Sequence, residues 1–360
     1  MIEVLVPGPY ATVQDLGRPG YGHLGVPRSG AADAPSLRLA NRLVGNPEGA
    51  AGIELTFGGA CLRFTSGAWA AVTGALCPVE LRTAGPPGTG LRTGEPPATE
   101  LPRTGLRTGG PRATELPSTG LPSIELRTGE LPDAGIPGGA GREDLLPGGP
   151  GSRVRAVGPY APVWVPAGGE LRVGTPPTGL RTYVAVRGGV DTPLVMGSRS
   201  TDSLSGLGPP PLRPGTLLPV GPTGALSPIT VDAAPPAAPP PEVLRILPGP
   251  RDDWFVPGAL AALCAGPYQV SQDSNRVGVR LDGARLERAR DGELPSEGMV
   301  AGALQVPPDG LPIVFLADHP PTGGYPVIAV LVSADLAGAA QLRPGDRVRF
   351  RLGRGAATSL

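Results

Sequence analysis

The chain has 360 residues, and its 31 basic residues, all arginine, balance 31 acidic ones. Without a lysine it cannot carry biotin, form a Schiff base or hold a G-x-x-x-x-G-K-[ST] phosphate loop. Its balanced charge and lack of a basic cluster exclude a nucleic-acid footprint, and no apolar run reaches the roughly 18 residues of a membrane span.

Glycine (57) and proline (49) together make 29% of the residues, which favours short strands joined by many turns over a helix bundle. The start, MIEVLVPGPY, has no basic segment followed by an apolar one, so no secretory signal is expected. Cys61, Cys77 and Cys264 lack C-x-x-C spacing and read as buried thiols in a reducing cytosol. With only His23 and His319 to help them, no metal site is expected.

The first predicted helix begins at Asp33-Ala34-Pro35. Asp33 is its cap, Pro35 is tolerated in its first turn, and Leu37, Ala40, Leu43 and Val44 form its apolar stripe before Gly45-Asn46-Pro47 stops it. Residues 58–81 then read as strands separated by glycine turns. Segment 84–152 is unlike its flanks. GLRTG recurs at 90–94 and 105–109 and ATELP at 98–102 and 113–117, a period of 15 residues. Such a segment has too little apolar surface to offset its ordering entropy. It reads as a disordered insertion, with an extended docking segment as the alternative.

Strand patterning resumes at 161–190. The stretch DAAPPAAPPPE (232–242) reads as a stiff linker between an N-terminal domain (1–231) and a C-terminal one (243–352). Strands are expected at VLRILPG, VGVRLDGARL, PIVFLAD, VIAVLVS and DRVRFRL, with two further helices at 256–264 and 333–342.

Two loops stand out chemically. The first runs from Gln14 and Asp15 through Arg18 to Ser29-Gly30, where backbone N–H groups suit an anion. The second, 188–203, sets Ser198, Arg199 and Thr201 beside Asp202. Each has a plainer alternative. Asp15 and Asp33 suit caps, Arg199 suits a loop tie, His23 and His319 suit structural histidines, and Glu297 and Gln305 suit barrel-lining positions.

The blocks VQDLGRPGY, SGAAD, GSRSTD, PGPRDDWF, SEG-x-x-x-GA-x-QVPPDG and TGGYP, in this order, resemble the allophanate hydrolase subunit 2 or KipA-type family, also described as biotin-dependent carboxyltransferase-like. Its best-characterised bacterial members are the C-type subunits of ATP-dependent 5-oxoprolinase. The resemblance spans 1–82 and 155–352, and the repeat has no counterpart in it. It implies a mainly β (α+β) chain with two cyclophilin-like β-barrel domains and a few short helices.

It also implies a cytoplasmic subunit of a complex that opens the lactam of 5-oxo-L-proline to L-glutamate with ATP hydrolysis. The expected partners are a smaller homologous subunit of B or KipI type and a third subunit of A type. On this reading Asp15, Asp202, Glu297 and Asp318 are candidate acid/base groups. Arg18, Ser29, Ser198, Arg199, Thr201, Arg276, Gln305, Thr322, Gly323, Gly324 and Tyr325 are candidates for binding substrate or phosphate. The alternatives are carboxyl transfer from biotin on a separate carrier to urea or a similar amide, and a non-catalytic regulatory module that binds a kinase-inhibitor-type partner.

Overall fold

The computed structural model describes residues 1–84, 153–292 and 294–353. The repeat read as a disordered insertion lies outside the described residues. Eleven strands occupy the first part: β1 (Ile2–Val6), β2 (Tyr10–Gln14), β3 (Gly52–Thr56), β4 (Ala60–Phe64), β5 (Ala68–Gly74), β6 (Val79–Thr83), β7 (Arg153–Val157), β8 (Pro162–Val165), β9 (Glu170–Val173), β10 (Arg181–Val186) and β11 (Leu217–Leu218). They form a six-stranded sheet in the order β11-β1-β4-β9-β6-β7 and a five-stranded sheet in the order β2-β3-β10-β5-β8. Ile2 and Val4, Leu62 and Phe64, and Leu171 and Val173 project from the first sheet toward Val13, Ile53, Leu55, Val72 and Val184 of the second, enclosing one apolar core.

The later strands are β12 (Val243–Pro248), β13 (Tyr268–Val270), β14 (Gly278–Asp282), β15 (Glu297–Gly298), β16 (Ala303–Gln305), β17 (Ile313–Phe315), β18 (Thr322–Gly323), β19 (Val327–Leu331) and β20 (Arg347–Leu352). Seven of them close a barrel in the order β12-β19-β16-β17-β14-β13-β20, while β15 and β18 form a separate two-stranded sheet. Alternation explains the barrel strands. On β20, Val348 and Phe350 point into a second core that is distinct from the first, and Arg347, Arg349 and Arg351 point out. The molecule is thus mainly β, with few helices, as the turn-rich composition implies.

Helix α1 (Ala34–Leu43) forms as expected, with the Asp33 carboxylate accepting the Ser36 N–H at 3.1 Å and Leu37, Ala40 and Leu43 buried. Helix α2 (Ala259–Ala265) starts later than 256 because Gly258, at φ 91°, turns the chain into it. The helix expected over 333–342 shrinks to a 3-10 turn at Ser333–Asp335 and a single α turn, α3 (Leu336–Ala339). Ser333 does not cap, because Val332 stays extended and precedes the turn. Asp335 is drawn instead to Arg245, whose Nη2 lies 2.5 Å from Oδ1.

Candidate functional site

The first candidate loop leaves β2 at Gln14 and returns to α1. The second follows β10. They are stitched together by carboxylates. Asp15 accepts from the Ser198 hydroxyl (2.6 Å), the Ser200 hydroxyl (2.5 Å), the Arg199 N–H (2.6 Å) and the Gly17 N–H (2.7 Å). Asp202 accepts from the N–H groups of Leu204 and Ser205 and from the Ser205 hydroxyl at 2.6 Å. Arg18, fully buried, donates to the Ser200 and Val195 carbonyls, and its Nη1 lies 4.0 Å from Asp202 Oδ2. That Nη1 and the Gln14 Oε1 are buried without a hydrogen-bond partner among the described residues, so donor and acceptor capacity remain inside the cluster.

The loops meet the barrel through Asp318. Its oxygens accept from Arg276 Nε (2.9 Å) and Nη2 (3.0 Å), from the Ser29 hydroxyl (2.7 Å), and from the Ser203 N–H (2.9 Å) and hydroxyl (2.6 Å). Ser29 sits at φ 54° and Met196, in the opposite loop, at φ 52°. A left-handed backbone at non-glycine residues is costly and marks segments whose shape is imposed by their surroundings. Arg276 also pairs with Glu54 in the middle of β3 and donates to the Gly30 carbonyl at 2.6 Å. Glu54 in turn accepts from the Tyr183 hydroxyl (2.8 Å) and the Ala32 N–H (3.0 Å), with Arg181 Nε 3.4 Å away.

Burial opposes ionisation of both acids. The guanidiniums outweigh it: Arg276 and Arg181 hold Glu54 below its ordinary value, and Arg276, with Ser203, does the same for Asp318. Arg276 is pushed the other way, above its ordinary value, despite its burial. Asp33 is raised by burial and by the charge of Glu54, against hydrogen bonds from Gln341 and Ser36. Burial and the charges of Glu54 and Asp33 raise Tyr183.

The structure therefore brings Asp15, Arg18, Ser29, Ser198, Arg199, Thr201, Asp202, Arg276 and Asp318 into one region. Arg199 turns its guanidinium outward to Asp191, 2.5 Å away. Thr201 takes part through its carbonyl, which accepts from Gln14 and Ser29, while its hydroxyl donates to Pro209 O at 2.8 Å. The remaining candidates form a second group around the two-stranded β15–β18 sheet and the end of β16. Glu297 is opposite Gly323 and binds Arg251, Gln305 donates to the Tyr325 carbonyl at 3.2 Å, and the Arg288 guanidinium lies over the Tyr325 ring.

No hydrogen bond or ion pair among the described residues links the two groups. The chain segment 318–325 is their connection. His23 is exposed, and the buried His319 stacks on Phe315. Sequence reasoning missed Glu54, Tyr183, Arg181 and Gln341. The available signal was a glutamate inside the otherwise buried strand GIELT.

Among the described residues no group of three or more His, Cys, Asp or Glu is placed to hold a metal. The α1 N-terminus does not suit a phosphate, because the Asp33 carboxylate already occupies it. Nor is any helix among them long and apolar enough to cross a membrane.

The family model for the carboxyltransferase domain, subdomains A and B, matches residues 24–114 and 151–352. The C-type subunit of 5-oxoprolinase from Escherichia coli (strain K12) is 32% identical over 97% of this chain and 90% of its own length. The urea amidolyase of Lachancea kluyveri is 29% identical over 97% of this chain but only 17% of its own length. Among solved structures, TTHA0988 superposes with a TM-score of 0.70 at 32% identity over 97% of this chain, which spans 55% of that protein's length. The K. lactis urea amidolyase gives 0.73 at 26% identity over 98% of this chain and 19% of its own. The chain belongs to the carboxyltransferase-domain family that includes the C-type subunit of 5-oxoprolinase.

Proposed function

From that membership, we propose that the chain is the C-type subunit of an ATP-dependent 5-oxoprolinase, opening 5-oxo-L-proline to L-glutamate within a complex. The observation that carries this reading is length. The match to the E. coli 5-oxoprolinase chain runs across nearly the whole of both proteins, whereas the urea amidolyase matches take up a small part of theirs. A five-membered lactam is a stable amide, so its opening needs the free energy of ATP. Phosphorylation of the amide oxygen followed by attack of water on the activated carbon is a balanced route that releases phosphate.

In this proposal Arg18, whose Nη1 has no hydrogen-bond partner among the described residues, supplies the positive potential for the substrate carboxylate. Arg276, engaged by Glu54, Asp318 and the Gly30 carbonyl, is a positioning residue, and the Gly323-Gly324-Tyr325 backbone faces the developing oxyanion. Asp15, Asp202 and Asp318 act as positioning residues, because their oxygens are engaged by neighbouring donors and all three are buried. Glu297, with its side chain 26% exposed, is the remaining acid/base candidate. The partners are a smaller homologous subunit of KipI type and a third subunit, and the complex works in the cytoplasm.

A second reading, carboxyl transfer from carboxybiotin to urea or a similar amide, is favoured by the similarity to urea amidolyases. The missing lysine requires biotin to arrive on another chain. One experiment separates the two. The chain co-expressed with its partner subunits is supplied with ATP and either 5-oxoproline or urea plus labelled bicarbonate. ATP-dependent glutamate release supports the first reading. Label fixed into urea, with no glutamate released, overturns it.

A further inference from the structure

A groove of about 540 Å³ runs between the loop after β9, the Pro/Ala linker and the barrel strand β20. Its walls are prolines: Pro177 on one side, Pro239–Pro241 on the other and Pro267 at the end. Arg347 and Arg349 open into it. Two positions apart on a strand, they share a face with their Cα atoms about 7 Å apart. Neither guanidinium has a hydrogen bond or ion pair among the described residues.

Their neighbour Arg343 is different. It donates to the carbonyls of Pro176, Pro177 and Gly179 and lies 5.3 Å from the Phe57 ring centroid. Of the two carboxylates lining the groove, Asp346 accepts the Arg343 N–H at 2.8 Å, and Glu242 flanks the arginines.

We propose that this groove binds a phosphate-bearing small molecule of roughly nucleotide size, with Arg347 and Arg349 holding its phosphates. Guanidinium forks match phosphate oxygens in geometry and charge. With Arg343 the groove carries three guanidiniums against the carboxylates of Glu242 and Asp346, an excess of positive charge that favours an anion. The proline rings offer flat apolar faces to a planar ring, and the Thr178 hydroxyl is at hand for a polar edge. The volume falls within the range of small-molecule sites, which favour junctions between substructures. The site is separate from the Asp15–Asp318 cluster, and the inference does not depend on the lactam-opening reading.

Calorimetric titration of the full chain with ATP, tripolyphosphate and adenosine, at low and moderate salt, tests it. ATP is expected to bind and adenosine not, with affinity falling as salt rises. The paired substitution Arg347→Glu and Arg349→Glu should weaken ATP at least tenfold while leaving the melting temperature unchanged, because both side chains are exposed. Tripolyphosphate binding as tightly as ATP would assign the site to inorganic polyphosphate, with the phosphate chemistry intact. No binding of either anion at millimolar concentration, or equal ATP affinity in the double variant, overturns the proposal. Glutamate release by the complex is a separate measurement, so the two readings fail independently.

Discussion

Arg276, at the entrance to β14 in the barrel, forms an ion pair with Glu54, in the middle of β3 in the opposing sheet, and both side chains are at most 3% exposed. This pair joins two apolar cores that are otherwise separate clusters. Removing Glu54 leaves the buried Arg181 without a carboxylate and Arg276 with Asp318 alone, and breaking a buried pair in this way costs about 3–5 kcal/mol. Glu54→Leu is therefore expected to lower the unfolding free energy by that amount in urea titrations. Changing Glu54 and Arg276 to leucine together should cost less than the two single changes added. A single-variant loss below about 1 kcal/mol, the scale of an ordinary exposed pair, would show that the pair does not hold the cores together.

The same pair sets an acid limit. Glu54 and Asp318 ionise below their ordinary values of 4.5 and 3.8 in the folded chain. A carboxyl depressed by folding adds stability above its unfolded value and loses it as pH falls through its folded one. Stability should therefore decline as pH drops from about 4.5 downward. Asp33, raised by burial, works in the opposite sense, most favourable below 3.8 and less so as pH rises through its folded value. Glu54→Gln is expected to flatten the acid side of the stability profile relative to the unmodified chain. An unchanged slope would mean that other groups govern acid unfolding.

The loops were legible in sequence because their chemistry is dense and local. Asp15, Ser198 and Asp202 lie in polar, glycine-rich runs that stand out from strand patterning. The floor of the site was not. Glu54 is separated from Arg276 by 222 positions and Tyr183 from Glu54 by 129; pairing of β10 with β3 brings Tyr183 to Glu54, and only the packing of the barrel against that sheet brings Arg276. Tyr183 is hidden for a further reason. In RTYVAV every residue is buried, so alternation gives no hint that its hydroxyl has a polar partner. The third helix was overread because its alanine-rich segment matches helical spacing, while Gly338 packs tightly against Pro241 of the linker.

Gly17 and Gly30 lie back to back where the first loop closes. A Cβ on Gly30, at φ 95°, would come within 2.7 Å of the Gly17 nitrogen. Gly30→Ala must push apart the strands of chain that hold Ser29 against Asp318, and is expected to cost more than about 2 kcal/mol. Gly20, with a similar φ of 96°, has nothing within 4 Å of such a Cβ. Gly20→Ala should carry the conformational cost alone, about 1 kcal/mol. Thermal melts of the two variants check the contrast, and equal losses would argue against the close packing.

The repeat can be tested by removal. Strands β6 and β7 pair in antiparallel register down to Thr83 opposite Arg153, so the two ends of the insertion meet side by side. A two-residue Asn-Gly turn fits such ends, and shortening a loop releases closure entropy instead of costing it. Replacing residues 84–152 with Asn-Gly should leave the β-sheet circular dichroism intact and keep the melting temperature within a few degrees. If the segment is only an insertion, the shortened chain should also support full glutamate release in the assembled complex. An intact fold with that activity lost would instead identify the repeat as a docking segment for a partner, and a chain that fails to fold would show that the repeat takes part in the core.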